Sequence, residues 1–128
     1  MSDAIDLIQR FCGEFGKGAS VDEIVAYFTD DAIYHNIPVE PAVGPEAIKA
    51  VFAMFTTGVE RIEFRVLNIV GEGDTVLTER VDVFVLPNVT IELPVMGTFE
   101  VRDGKIAKWR DYFDLNQYMN QLAGGAAG

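Results

Sequence analysis

Arg80 and Asp82 stand two residues apart in the run from Val76 to Leu86, and Asp111 stands between Trp109 and Phe113. Both runs read as β-strand, in which side chains alternate between two faces. Val76, Thr78, Arg80, Asp82, Phe84 and Leu86 then share one face, and Leu77, Glu79, Val81, Val83 and Val85 the other. In the last strand Ala107, Trp109, Asp111 and Phe113 share a face, opposite Ile106, Lys108, Arg110 and Tyr112. Three charges therefore stand on apolar faces, where they are costly unless paired and hydrogen-bonded. If the two strands lie close, Arg80 bridges both carboxylates. One proton shared between the carboxyls neutralises such a site and leaves one acid and one base in a single pocket near neutral pH. A structural ion pair that fixes strand register satisfies the same parity, and parity alone does not separate the two.

Tyr34 and Asn36 also lie two apart, in a short strand over 32–37, with His35 on the opposite parity. A phenol and an amide offer a hydroxyl, a carbonyl and an N–H. Together they can hold one water at an angle. Satisfaction by nearby backbone is the competing reading. His35, facing the other way, is expected at the surface or against a helix rather than in catalysis.

The elements that must position these groups follow from periodicity and punctuation. Residues 3–15 carry Ile5, Ile8, Phe11, Cys12 and Phe15 at helical spacing, and Gly16 and Gly18 end the helix. Ser20 to Glu23 form a capping box that opens a second helix over about 21–28. Pro45, after Gly44, opens a third that carries Ile48, Val51, Phe52 and Phe55 on one face. Residues 61–70, 75–86, 90–101 and 106–114 read as strands, separated by turn signals at 71–74, Pro87-Asn88 and Asp103-Gly104. Helices first and a meander of strands after them give an α+β domain. A strongly curved sheet against three or four helices makes a cone with an internal apolar pocket. One domain is expected over 1–122, followed by a flexible, low-complexity tail over 123–128.

Composition narrows the function. The chain has 128 residues, 49% of them hydrophobic, and a net charge of −10. Nucleic acid and anionic membrane surfaces are therefore poor partners. No apolar run approaches the roughly 20 residues that cross a bilayer. The N-terminus shows no basic segment followed by an apolar stretch, so a signal peptide is not expected. The lone Cys12 allows no internal disulfide, which agrees with a cytoplasmic location, and its helical apolar setting makes it core rather than nucleophile. With one His and one Cys, a zinc site is not expected.

Four segments, taken in order, resemble the limonene-1,2-epoxide hydrolase family. They are Tyr34-His35-Asn36-Ile37-Pro38, Thr78-Glu79-Arg80-Val81-Asp82-Val83, Leu93-Pro94-Val95-Met96-Gly97, and Gly104-Lys105-Ile106 with Trp109-Arg110-Asp111-Tyr112-Phe113-Asp114. The resemblance implies the cone-shaped fold of nuclear transport factor 2 and the ketosteroid isomerases, also called SnoaL-like. It implies hydrolysis of a cyclic or terpene-like epoxide to a vicinal diol, without cofactor, metal or covalent intermediate. It assigns Asp111 as general base, Tyr34 and Asn36 as holders of the attacking water, Asp82 as general acid and Arg80 as the bridge. Phe84, Leu93, Val95 and Phe113 line the substrate pocket by the same resemblance, and a homodimer is expected. Two alternatives stay open: an isomerase or cyclase of the ketosteroid isomerase kind, and a non-catalytic module that binds a small ligand.

Overall fold

The structure, a computed structural model, describes residues 3–127, with side chains described through Gly124. Helix α1 (Asp3–Gly16) buries Ala4, Leu7, Ile8, Phe11, Cys12 and Phe15 along one stripe. Helix α2 (Val21–Val25) opens on the expected capping box: the Glu23 N–H donates to the Ser20 hydroxyl, and the Ser20 N–H donates to the Glu23 carboxylate. It ends three residues earlier than the sequence suggests. The chain is needed as strand instead, because the Ile106 N–H donates to the Tyr27 carbonyl and Phe28 pairs with Ile106. Strand β1 (Phe28–Asn36) is accordingly longer than the expected 32–37.

Strand β2 (Ala42–Val43) and helix α3 (Pro45–Thr56) follow. Gly44, with φ of 87°, makes the turn between them in a conformation that L side chains rarely adopt. Then come β3 (Arg61–Glu72), β4 (Thr75–Val85), β5 (Thr90–Arg102), β6 (Lys105–Tyr112) and helix α4 (Leu115–Ala127). The six strands form one curved, unclosed sheet in the order β2-β1-β6-β5-β4-β3. All neighbours are antiparallel except β1 and β6, which run parallel. This is the α+β cone that the sequence implies.

Trp109, fully buried, is the hub of the core. It stacks on Tyr34 at 4.2 Å and on Phe99 at 5.2 Å, and meets Phe11 edge-on at 5.1 Å between ring centroids. Such pairs add roughly 0.5–1.5 kcal/mol each beyond the area they bury. Cys12 belongs to this core, where burial pushes its thiol up to about 12, against the opposing pull of Arg80.

The sequence parity fails at Ile106. It was expected on the outer face with Lys108 and Arg110, yet it is fully buried. A bulge between Glu100 and Val101 shifts the β5–β6 register at this point and turns the side chain inward.

Helix α4 is the element that strand patterning leaves out. Asp114, read as the end of the last strand, caps it by accepting from the N–H groups of Asn116 and Gln117. The helical backbone runs through Ala127, across most of the segment expected as a tail, and residue 128 lies outside the described residues. Strand β6 pairs with β5 only from Met96 onward, so the first half of β5 has no strand on that side. Gln121 of α4 fills in for one residue. Its amide accepts from the Glu92 N–H and donates to the Glu92 carbonyl, both at 2.9 Å. We expect Gln121→Ala to cost about 1 kcal/mol, which lowers Tm by roughly 2–6 °C in thermal denaturation. An unchanged Tm would mean that water replaces this clamp at no cost.

Candidate active site

Arg80 leaves β4 on the core face and is 1% exposed. A buried guanidinium must satisfy five N–H donors, and here all five have acceptors. Nε donates to Asp82 Oδ1 and Nη2 to Asp82 Oδ2, both at 2.9 Å. Nη2 also donates to Asp111 Oδ2 at 2.7 Å. Nη1 donates to Asp111 Oδ1 at 3.2 Å and to the Thr78 hydroxyl at 3.1 Å. Its carbon centre lies 4.7 Å from the Phe64 ring centroid. No buried side-chain nitrogen or oxygen among the described residues lacks a partner.

Arg80 and Asp111 are not on neighbouring strands. Strand β5 runs between β4 and β6, so the side chains must meet across two strand spacings, roughly 9–10 Å. Gly97 makes that possible. It is in register with Thr78 on one side and Asp111 on the other. A Cβ there would lie 2.4 Å from Arg80 Nη1 and 2.5 Å from Asp111 Oδ1. The missing side chain is the space in which the ion pair forms. A glycine inside a strand marks such close approaches, and this signal was available in the sequence but not used as one.

The two carboxylates differ. Among the described residues, Asp82 accepts hydrogen bonds from Arg80 alone, through both oxygens. Burial raises its pKa to about 6, although Arg80 opposes the shift. Asp111 has a third donor, since the Trp109 indole N–H reaches Oδ1 at 2.6 Å. An indole can only donate, so that oxygen must act as an acceptor. Burial disfavours the charge on Arg80, but the two carboxylates outweigh it and hold the guanidinium well above its ordinary range.

Tyr34 and Asn36 arrive through the parallel β1–β6 pairing. Tyr34 is in register with Trp109, and Asn36 with Asp111. Burial, aided by the Asp111 charge and opposed by the neighbouring Asn36 side chain, keeps the Tyr34 phenol protonated. His35 faces away and donates to the Val39 carbonyl at 2.9 Å.

A cavity of about 560 Å³ opens onto these groups. Tyr34, Asn36, Asp82 and Asp111 line its polar end, while Arg80 lies behind the carboxylates, out of the wall. Phe84, Leu93, Val95 and Phe113 form part of its apolar wall. Sequence reading missed Val51, Met54, Phe55 and Phe64, the Val39–Glu40 turn, and Leu115 and Tyr118 of α4. For the last two, the available signal was Leu115, Tyr118 and Leu122 at helical spacing after Asp114. Among the described residues, no group of three or more His, Cys, Asp or Glu is placed to hold a metal ion. The arrangement offers a paired acid and base, a cation to balance them, and two neutral groups suited to a water.

Comparison with known proteins points the same way. The model of the limonene-1,2-epoxide hydrolase catalytic domain matches residues 4–124. Over 104 residues the chain is 32% identical to epoxide hydrolase EphG of Mycobacterium tuberculosis, an overlap that covers 81% of this chain and 69% of that protein. A solved structure of an M. tuberculosis LEH-like epoxide hydrolase superposes with a TM-score of 0.81 at 29% identity, covering 98% of this chain and 92% of that one. A Shewanella putrefaciens protein described as a SnoaL-like polyketide cyclase superposes with a TM-score of 0.84 at 14% identity, over 97% and 98% of the two chains. At that identity the likeness concerns the fold alone.

Gly97→Ala tests the space between Arg80 and Asp111. The variant is expected to lose stability by about 1–3 kcal/mol, the usual cost of overpacking, and to lose activity well beyond its loss of folded fraction. Circular dichroism and turnover measured on the same sample separate the two effects. Near-wild-type turnover would show that the pair can shift aside without consequence.

Proposed function

The chain belongs to the limonene-1,2-epoxide hydrolase family, and on that premise we propose that it adds water to an epoxide in one acid/base step. The observation that carries the reading is the buried pair of carboxyls on one guanidinium, opening onto an apolar cavity beside Tyr34 and Asn36. Asp111 is the base: it faces the cavity beside Tyr34 and Asn36, and Arg80 and the Trp109 indole hold its carboxylate in place. Tyr34 and Asn36 hold the water that Asp111 deprotonates. Asp82, whose burial favours the protonated form, gives its proton to the epoxide oxygen.

The atoms balance. The water oxygen forms a bond to one epoxide carbon, and the carbon–oxygen bond on that carbon breaks with inversion. Asp111 gains a proton and Asp82 loses one, so the cluster keeps its total charge throughout. Passing a proton from Asp111 back to Asp82 resets it, and the product is a vicinal diol. Ring strain supplies much of the driving force. Acid and base contribute on the order of 10²–10⁴-fold each, and orientation of the water adds to that.

A pair that served only to fix strand register would not need to face a cavity. A dienolate site of the ketosteroid isomerase kind has no use for a cation between two carboxylates. The mostly apolar wall suits a cyclic or terpene-like epoxide. Met96 and Tyr112 are cross-strand neighbours about half exposed on the sheet face turned from the core, and the same face carries a second exposed cross-strand pair, Leu77 and Val70. Such a patch supports a homodimer.

Asp111→Asn and Asp82→Asn should each lower kcat/KM for cyclohexene oxide or limonene oxide by roughly 10²–10⁴-fold, with folding checked by circular dichroism. Full activity in Asp111→Asn would end the base assignment. In ¹⁸O-labelled water, the label should enter the diol in the first turnover. Oxygen taken from the protein would mean a covalent ester instead.

The pH profile follows from Asp82. A general acid works only while protonated, so kcat/KM should fall as pH rises through about 6. Bound apolar substrate displaces water and buries Asp82 further, so the alkaline limb of kcat should lie at higher pH than that of kcat/KM. Coincident limbs, or activity rising from pH 6 to 9, would contradict the acid role.

A further inference from the structure

The cavity wall carries three charged side chains, and all are acidic. Asp82 and Asp111 lie at the closed end, and Glu40 is the third. Arg80, behind Asp82 and Asp111 with its five donors committed, balances that pair, so Glu40 is the uncompensated charge of the wall. Glu40 is exposed and makes no ion pair among the described residues. Val39 and Met54, also in the wall, are 48% and 71% exposed. These three therefore mark the mouth.

Glu40 is held there by the backbone. The Val39 N–H donates to the Asn36 carbonyl at 2.8 Å, and the His35 ring donates to the Val39 carbonyl at 2.9 Å. The Ile37 N–H donates to the Asp111 carbonyl at 2.9 Å, which ties the same turn to the catalytic strand. The one histidine thus braces the turn that leads into Glu40, and the backbone just before that residue is tied to Asn36 and Asp111.

We propose that Glu40 is a specificity-determining residue that turns carboxylated epoxides away, so that the substrates of this site are uncharged epoxides. This rests on the epoxide hydrolase reading given above. An incoming carboxylate meets the unpaired charge of Glu40 at the mouth, on a chain whose net charge is −10. At the several-ångström range of a shared mouth, one like charge in a largely aqueous setting changes affinity by roughly three- to tenfold. Because the mouth is open to solvent, salt must weaken the effect.

The test compares the terminal epoxide of a medium-chain fatty acid with its methyl ester, in wild type, Glu40→Gln and Glu40→Lys. In parallel, titration calorimetry compares decanoate with decanamide, which requires no turnover. The preference for ester over acid should fall about three- to tenfold in Glu40→Gln and further in Glu40→Lys. The amide-over-carboxylate ratio of Kd should fall in step, and both changes should shrink in high salt. Ratios unchanged within about twofold across the three proteins would overturn the proposal. If the ester is not hydrolysed but the Kd ratio shifts, the charge filter stands and the epoxide reading fails. If the ester is hydrolysed but neither ratio shifts, the reverse holds.

Discussion

The burial of Arg80 is the constraint on which the rest of the site depends. A guanidinium at 1% exposure is tolerable only with its charge balanced and every N–H donor used. Two carboxylates and a threonine hydroxyl meet that demand, and each places a condition on the sheet. Asp82 must follow Arg80 by two residues so that both face the same way. Asp111 must lie two strands over, which requires the intervening position in β5 to have no side chain. Thr78 must lie in register with that same Gly97, whose carbonyl accepts the Thr78 hydroxyl at 3.3 Å. Packing and electrostatics are one problem here.

The cluster is also asymmetric, and the asymmetry comes from the core. Trp109 occupies the centre of the aromatic packing, yet its indole N–H is spent on Asp111. The hub that stabilises the fold therefore distinguishes the two carboxyls. Asp111 receives three donors and Asp82 two, both from Arg80. In the proposed mechanism the proton sits on Asp82, the carboxyl with fewer donors, whose burial favours the protonated form. A division of labour between acid and base can thus arise from ring packing rather than from any difference in residue type.

Much of this was legible in the sequence, and the gaps have physical causes. Alternation put Arg80 and Asp82 on one face, Trp109 with Asp111, and Tyr34 with Asn36, because strand parity is local. It could not show that β5 separates β4 from β6, since strand order is set by long-range pairing. Ile106 escaped because a bulge changes parity and no residue type announces it. Helix α2 was read too long because its capping box reports where a helix starts, not how soon the following chain is taken into a sheet. Helix α4 was hidden by its glycine-rich end and by Asp114, which reads equally as the end of a strand and as a helix cap. The cavity residues it supplies, Leu115 and Tyr118, were lost with it. So was Glu40, which sits in a turn where periodicity carries no information.

The last piece of the site depends on one pairing. Strands β1 and β6 form the sheet's parallel pair, joining residues far apart in the chain. Their register sets Asn36 beside Asp111 and Tyr34 beside Trp109. A slip by one residue would turn Tyr34 and Asn36 out of the cavity and bring His35 in. The aromatic core prevents it, because Tyr34 stacks on Trp109 at 4.2 Å and on Phe52 at 5.3 Å. The bond from Ile37 N–H to the Asp111 carbonyl carries the same register one residue past the strand end. The ring that presents a hydroxyl to the cavity is thus also the wedge that fixes the register, and the position of Asn36 next to Asp111 follows from a hydrophobic stack one pair of residues away.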